Sequence, residues 1–155
     1  MQFLKQISYF CIIIIGLDYE IMLQGLLWCN VGFALTQQQF IDQNLKGRKL
    51  DQIEGVWMAT SGRVYGFYKS GSQYLNVVIT TGRLFRSGET IGSLTKGAEN
   101  VFYGTEIVGL GNSTCNGTVT YNIFGNSLQV RQSCSGKGSG TFTDQRLWDN
   151  WHMER

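Results

Sequence analysis

The sequence predicts an all-β fold, an up-and-down antiparallel β-barrel of about eight or nine short strands. Short β-type runs recur at near-regular spacing from Ile53 to Asp149, and no helical period occurs among them. Glycine separates these runs, because the chain has 20 glycines and no proline to make its turns. Sequential hairpins without a long crossover favour the up-and-down order, and closure removes sheet edges that no proline protects.

Residues 1–34 are interpreted as a signal peptide or a membrane anchor. Two apolar stretches are interrupted by acidic residues, and neither reaches the roughly 20 apolar residues of a bilayer span. Gly32 and Ala34 are small residues placed for a signal cleavage after Ala34. A cleaved signal predicts an extracytoplasmic protein, secreted or periplasmic. An uncleaved segment would instead anchor the protein in a membrane, and a helix belonging to the fold is the third alternative.

Residues 35–52 are predicted to form a short helix and a linker. Thr36 and Gln39 match a capping box, so the helix would run from about Gln37 to Leu45 and end before Gly47. The apolar edge of this helix would consist of Phe40, Ile41 and Leu45.

The barrel domain is predicted to span residues 53–149, followed by a tail at 150–155. Its predicted strands are Glu54–Ala59, Arg63–Tyr68, Tyr74–Thr80, Arg83–Arg86, Glu89–Leu94, Asn100–Leu110, Thr118–Phe124, Ser127–Ser133 and Thr141–Asp149. A loop is predicted from Gly111 to Asn116, and Gly125-Asn126 suits a two-residue hairpin turn.

Alternation within the strands predicts which side chains point into the barrel. The inward positions are predicted to be Leu75, Val77 and Ile79, then Val119, Tyr121 and Ile123, and finally Leu128 and Val130. The strand that begins at Asn100 is bulky on both faces, which predicts that the helix covers its outer side.

Aromatic residues are dense in the barrel region, which has two interpretations. They fill the core, or they line a cavity that holds one small apolar ligand; about eight strands is the size at which either occurs. In the second case the predicted ligand-binding residues are Val77, Ile79, Tyr103 and Tyr121.

Two of the four cysteines, Cys115 and Cys134, lie in the barrel region. A two-residue turn at Gly125-Asn126 places Cys134 opposite Gly117, with Cys115 one diagonal step away on the same face. A single bulge would bring the cysteines directly opposite each other. We therefore predict a disulfide, since an exported chain folds in an oxidising compartment. The alternative is a pair of reduced buried thiols.

The sequence contains no motif of a known catalytic or cofactor site, so we predict a non-enzyme without cofactor or metal.

Two N-glycosylation patterns, at Asn112 and Asn116, are interpreted as loop markers. Three carboxylates, Glu89, Glu106 and Asp144, could form a pair for acid–base work, but nothing in their spacing favours this over ordinary solvent-facing charges, which is our interpretation. With a net charge of +2 and scattered basic residues, the chain is not expected to bind nucleic acid.

Gly55-Val56-Trp57 on the first strand and Arg146 on the last resemble the calycin (lipocalin-like) pattern. This resemblance implies a structural cation–π contact between Trp57 and Arg146 at the closed end of the barrel. The run from Leu50 to Trp57 also resembles the opening Leu-Asp-x-Ile-Glu-Gly-x-Trp of small exported domains of unknown role, with Gln52 where proline is expected. No activity is implied by that second resemblance.

The leading functional hypothesis is an exported barrel that binds a small apolar ligand without catalysis. The rival hypothesis is a protein-interaction module at the cell surface or in the periplasm, which exposed Val56, Met58 and Val78 would favour. A membrane is expected as a partner only if the N-terminal segment remains uncleaved, and the sequence makes no prediction of oligomeric state.

Overall fold

The structure, a computed structural model, describes residues 34–80 and 82–148, so the predicted signal segment up to Phe33 and the predicted tail lie outside the described residues. It begins with a helix, α1 (Gln37–Asn44), as the capping box predicts. The Thr36 hydroxyl accepts from the Gln39 amide, and the Gln39 side chain accepts from the Thr36 amide. In the described part of the chain, no helix is long and apolar enough to cross a membrane.

Eight strands follow within the described residues and form a closed antiparallel barrel in which each strand pairs with its neighbours in sequence. They are β1 (Gly55–Met58), β2 (Val64–Ser70), β3 (Gln73–Val78), β4 (Thr90–Lys96), β5 (Val101–Leu110), β6 (Ser113–Phe124), β7 (Ser127–Cys134) and β8 (Gly138–Trp148). Pairing of β1 with β8 closes the barrel. The predicted all-β, up-and-down architecture is therefore confirmed.

Two of the predicted local elements are wrong. Arg83–Arg86 is not a strand; it belongs to the β3–β4 loop, where Gly82 donates to the Phe85 carbonyl at 2.9 Å. Ser113–Asn116 is not a loop, because these residues continue β6 and pair with Ile107–Leu110 of β5. The polar composition of that stretch suggested a loop, whereas the exposed strand faces at this end of the sheet accept polar residues equally well.

The barrel interior is filled mainly by aromatic and branched side chains. Its largest fully buried members are Trp57, Tyr65, Phe67, Phe102 and Tyr121. Phe67 and Tyr121 meet edge to face with ring centres 5.0 Å apart, as do Tyr74 and Phe102 at 4.9 Å. Core filling thus accounts for most of the aromatic density seen in the sequence.

Helix α1 covers the outer face of β1, β2 and β3, and the inward predictions for Leu75, Val77 and Ile79 are wrong, because all three lie on the outer face. Val77 and Ile79 pack with Phe40, Ile41 and Leu45 outside the barrel instead of pointing inward. The opposite face of β3 enters the core through Tyr74, Asn76 and Val78. The helix does not cover β5, whose Tyr103 is 51% exposed. The inward predictions for Val119, Tyr121, Ile123, Leu128 and Val130 are confirmed.

Residues 51–54 close one end of the barrel, which we call the plugged end. Ile53 is fully buried in the core, and its carbonyl accepts from the Trp57 indole nitrogen at 2.9 Å. Asp51 accepts from the Tyr74 hydroxyl at 2.5 Å and pairs with Lys69 and Lys96. The hairpin turns that follow β2, β4 and β6 lie at this same end.

Glu54 holds the chain at the plugged end, although its side chain is only 1% exposed. Its carboxylate accepts from the backbone N–H of Asp51 at 2.9 Å and of Lys69 at 2.8 Å, and it pairs with Arg48 at 3.1 Å. The next residue must be glycine, because a Cβ on Gly55 would lie 2.5 Å from the Trp148 carbonyl oxygen and φ is +146°. The residues in the run from Leu50 to Trp57 thus have structural roles at the plugged end.

Candidate functional site

The strands have unequal lengths, and this shapes the end of the barrel opposite the plug. The second half of the barrel has the longer strands: β5, β6 and β8 contain 10, 12 and 11 residues. Strands β1 to β4 contain only 4, 7, 6 and 7 residues. We call this the disulfide end, because Cys115 and Cys134 are joined there with Cα atoms 6.3 Å apart. The predicted bridge is confirmed, and the diagonal placement suffices without a bulge.

Phe142 shows that the interior is accessible at the disulfide end. It pairs with Val130, and its neighbour on the same face, Asp144, pairs with Leu128; both β7 residues point into the core. Phe142 therefore lies on the inner face, yet it is 45% exposed. An inward side chain in a closed and filled section of barrel would be buried, so solvent reaches the inner face at this point.

Glycines line this inner face and let neighbouring side chains pack directly against the strands. Gly117, Gly138 and Gly140 occupy inward positions of β6 and β8 around the disulfide. A Cβ on Gly140 would lie 2.8 Å from the Phe142 ring, so the ring can lie here only because residue 140 has no side chain. We call the part of the inner face that Gly117, Gly140, the exposed Phe142 and the disulfide form the recess.

Polar side chains lie in the barrel interior next to the recess, where sequence alternation alone predicts apolar ones. Glu106 of β5 is 3% exposed, and the Tyr121 hydroxyl lies 2.7 and 2.8 Å from its two oxygens. The Asn76 amide nitrogen donates to the same carboxylate at 2.7 Å. Glu106 pairs with Gly92 on one side and Gly117 on the other, and a Cβ on Gly92 would overlap the Glu106 side chain.

A second buried carboxylate, Asp144, is 5% exposed and accepts from the Tyr65 hydroxyl at 2.5 Å. Arg63, at the start of β2, places its guanidinium 5.8 Å from the Tyr65 ring centre and 4.9 Å from that of Phe85. The interior floor thus combines two carboxyl groups, two phenols and an amide, with one guanidinium at its rim. We call these residues, Arg63, Tyr65, Asn76, Glu106, Tyr121 and Asp144, the polar floor.

Burial sets the protonation of the polar floor. Loss of hydration raises the pKa of Glu106 above its usual range, although the hydrogen bonds from Asn76 and Tyr121 oppose this. Loss of hydration likewise raises the pKa of Asp144, against the hydrogen bond from Tyr65. The pKa values of Tyr65 and Tyr121 lie well above 10 because both phenols are buried beside carboxylates. Both phenols therefore act as hydrogen-bond donors at neutral pH.

The polar floor contains atoms without a hydrogen-bond partner among residues 34–80 and 82–148. They are Asp144 Oδ1, Asn76 Oδ1 and Arg63 Nε. Each is a buried group whose lost hydration is not replaced by the described residues, which costs on the order of 1–3 kcal/mol per group. Two of the three are acceptors, so the floor has more acceptor than donor capacity left over.

The four predicted ligand-binding residues do not come together. Tyr121 belongs to the polar floor, Val77 and Ile79 lie beneath α1, and Tyr103 is exposed on the outer face of β5. The predicted structural pair is found at the plugged end, where the Arg146 guanidinium lies 4.1 Å from the Trp57 ring centre. Arg146 also donates to the Gln52 carbonyl at 2.6 Å.

Sequence reasoning missed Tyr65, Asn76, Glu106 and Asp144 as site residues. The interpretation of Glu106 and Asp144 as solvent-facing charges is wrong, because both are buried. The sequence did contain a signal for Glu106. It lies an even number of residues from Phe102 and Val108 and therefore on the same face of β5, and both of those residues point inward and are buried. No comparable signal existed for Asn76, because β3 is apolar on both of its faces.

The outer surface carries a shallow groove of about 500 Å³ across β3 to β6. Its lining includes the apolar side chains of Leu75, Ile91 and Ile107, with Thr105 and Asn116. Three residues were expected to be exposed if the protein is an interaction module, and two of them are buried. Val56 and Val78 are fully buried, and Met58 is 38% exposed.

Comparison with protein-family models, curated proteins and solved structures found no match to this chain. The closed antiparallel barrel that the described residues form is consistent with a calycin-like fold.

Proposed function

We propose that this protein is an exported, non-catalytic β-barrel that binds one small, mainly apolar ligand in the recess. The observation that carries the proposal is Phe142, an aromatic side chain on the inner face of the barrel that is 45% exposed. Pockets that bind small molecules combine apolar walls with a few oriented polar groups. The recess offers Phe142 and the disulfide as apolar wall, with the polar floor beside them.

The proposal of a non-catalytic role rests on how the Glu106 carboxylate is held. Both oxygens of Glu106 contact the Tyr121 hydroxyl, and one also accepts from Asn76. A general base needs its oxygen within reach of a substrate proton, whereas this one is occupied by protein donors. Glu106 therefore suits positioning better than proton transfer.

Export is supported by the bridge between Cys115 and Cys134. Disulfides form and persist in oxidising compartments and are rare where thiols are kept reduced. The predicted signal segment would supply the route. The intact mass of the protein from its native host tests this, because cleavage would leave a chain that begins at Leu35.

Binding is tested with N-phenyl-1-naphthylamine, an apolar dye that is neutral at pH 7 and fluoresces when it leaves water. We expect the folded protein to bind the dye with a stoichiometry of one. Gly140→Leu places a side chain where the Phe142 ring now lies and should weaken dye binding at least tenfold. Thr141→Leu places the same side chain on the opposite, exposed face of β8 and is the control.

Equal dye affinity in Gly140→Leu and Thr141→Leu, with both variants folded by circular dichroism, would overturn the recess as the binding site. Absence of dye binding to the unmodified protein would overturn the proposed function itself.

A further inference from the structure

We propose that the ligand carries a protonated amine and that Asp144 is its counter-ion. This inference rests on the recess as the binding site, and it assigns the chemical class of the ligand. Three observations on the polar floor and its surroundings support it: the excess of acidic groups, the unused acceptor on Asp144, and the geometry that links Asp144 to Phe142.

The charge of the polar floor favours a cation. Glu106 and Asp144 are two acidic groups inside the barrel, and Arg63 is the basic group of the floor. The Arg63 guanidinium already contacts the faces of the Tyr65 and Phe85 rings. An anionic ligand would meet two carboxyl groups, whereas a bound ammonium group would favour their ionised form and so oppose the burial that raises their pKa values.

Asp144 has the unused hydrogen-bonding capacity. Tyr65 occupies Oδ2, and Oδ1 makes no hydrogen bond of good geometry in the described ranges, although the Thr60 backbone is near enough to lower the Asp144 pKa and the residue is only 5% exposed. Asn76 provides an independent sign of the same need, because its Oδ1 also lacks a partner within residues 34–80 and 82–148 and the residue is 1% exposed. A ligand that donates hydrogen bonds would satisfy acceptors of this kind, and one that only accepts would not.

The spacing along β8 sets the shape of the ligand. Asp144 and Phe142 are two residues apart on the same face of the strand. Their Cα atoms are therefore roughly 7 Å apart, at about 3.3 Å per residue. An ammonium group at Asp144 then places an apolar group of phenyl size beside the Phe142 ring when two or three bonds join them. Arylalkyl amines have these dimensions.

Three ligands of equal size test the inference: phenethylamine, 2-phenylethanol and phenylacetate, each titrated calorimetrically into the folded, disulfide-bonded protein. We expect phenethylamine to bind roughly 10- to 100-fold more tightly than 2-phenylethanol, the range for a charge-assisted hydrogen bond. Phenylacetate should bind most weakly. This series uses the unmodified protein and so does not depend on the folding of any variant.

Asp144→Asn keeps the shape of the side chain and removes its charge, so phenethylamine should lose most of its advantage while 2-phenylethanol keeps its affinity within about threefold. Asp42→Asn removes one carboxylate from the exposed face of α1 and should leave all three affinities unchanged.

Tighter binding of phenylacetate than of phenethylamine would overturn the inference, as would an unchanged amine preference in Asp144→Asn. If the naphthylamine dye binds in the recess and phenethylamine does not bind, the assignment of an amine fails while the binding function stands. If the dye does not bind either, the proposed function has failed.

Discussion

Replacement of Glu54 by glutamine should destabilise the barrel by about 2–3 kcal/mol, more than any other single-atom change at the plugged end. The carboxylate oxygens accept from two different backbone donors, the N–H groups of Asp51 and Lys69. Glutamine keeps the shape of the side chain but turns one oxygen into an NH₂ group. One of the two backbone N–H groups would then face a donor inside a site that is 1% exposed.

The magnitude follows from two contributions. A buried donor left without an acceptor costs about 1–3 kcal/mol, and the remaining hydrogen bond is weakened because its acceptor is no longer charged. The ion pair with Arg48 adds little, because the Arg48 side chain is 39% exposed and pairs of this kind contribute less than about 1 kcal/mol. We therefore expect the melting temperature of a domain of this size to fall by roughly 8–12 °C.

Urea unfolding monitored by circular dichroism measures the change, with Arg48→Met and Glu99→Gln as matched variants. Arg48→Met removes the ion pair and the exposed hydrogen bonds to the Asn44 and Lys69 carbonyls, and it leaves both backbone hydrogen bonds to Glu54 intact, so it should cost about 1 kcal/mol. Glu99→Gln makes the same chemical change at an exposed position in the β4–β5 turn and should be neutral. A loss below about 0.5 kcal/mol in Glu54→Gln, or an equal loss in Arg48→Met, would refute the argument.

Three further predictions concern stability. The Tyr74 hydroxyl and two lysines lower the pKa of Asp51 from 3.8 to about 2, so its contribution is complete above pH 4 and is lost as pH falls toward 2. The stability difference between the unmodified protein and Asp51→Asn, measured by urea unfolding from pH 6 to pH 2, should shrink by about 1 kcal/mol over that window, because solvent screens the exposed lysine partners; a pH-independent difference would contradict it. Reduction of the Cys115–Cys134 bridge, whose cysteines are 19 residues apart, should cost about 3 kcal/mol in unfolding experiments with and without dithiothreitol. A Cys115→Ser/Cys134→Ser protein should not respond to the reductant, and a response would point to another cause. Thr36→Ala removes the helix cap and should cost about 1 kcal/mol, whereas an unchanged midpoint would mean that α1 is held by its packing alone.

The fold was largely predictable, because glycine spacing and strand alternation are local signals. The capping box at Thr36, the hairpin turn at Gly125-Asn126 and the bridge that this turn makes geometrically accessible all follow from residues close in sequence. Each of these elements depends on neighbours within about twenty residues, so the sequence contains the necessary information.

The assignment of strand faces failed where both faces of a strand are buried. In β3, Leu75, Val77 and Ile79 form the more apolar face, yet Val77 and Ile79 pack under α1. The inward face includes Asn76, whose burial is stabilised by Glu106, 30 residues away in sequence. Alternation gives the period of a strand but not which side faces the core, and a helix that covers the outer side allows that side to be the more apolar one.

The candidate site was less predictable than the fold, for a related reason. Phe142 and Asp144 are inward on β8, but one is exposed and the other buried. That difference arises from the unequal lengths of strands on opposite sides of the barrel, which is a property of the assembled sheet. Tyr121 was predicted to bind a ligand as an apolar wall residue, whereas its hydroxyl contacts a carboxylate.

The pairing of β1 with β8 has a consequence for the order in which the chain folds. Every other strand pair joins neighbours in sequence, so these hairpins can form while the protein is still being synthesised or translocated. Closure differs, because Arg146 bonds to the carbonyl groups of Gln52 and Glu54 across 94 and 92 residues. We therefore expect closure to be the slow, final step, one that cannot begin until nearly the whole domain has emerged, and the edges of β1 and β8 stay open to aggregation until then.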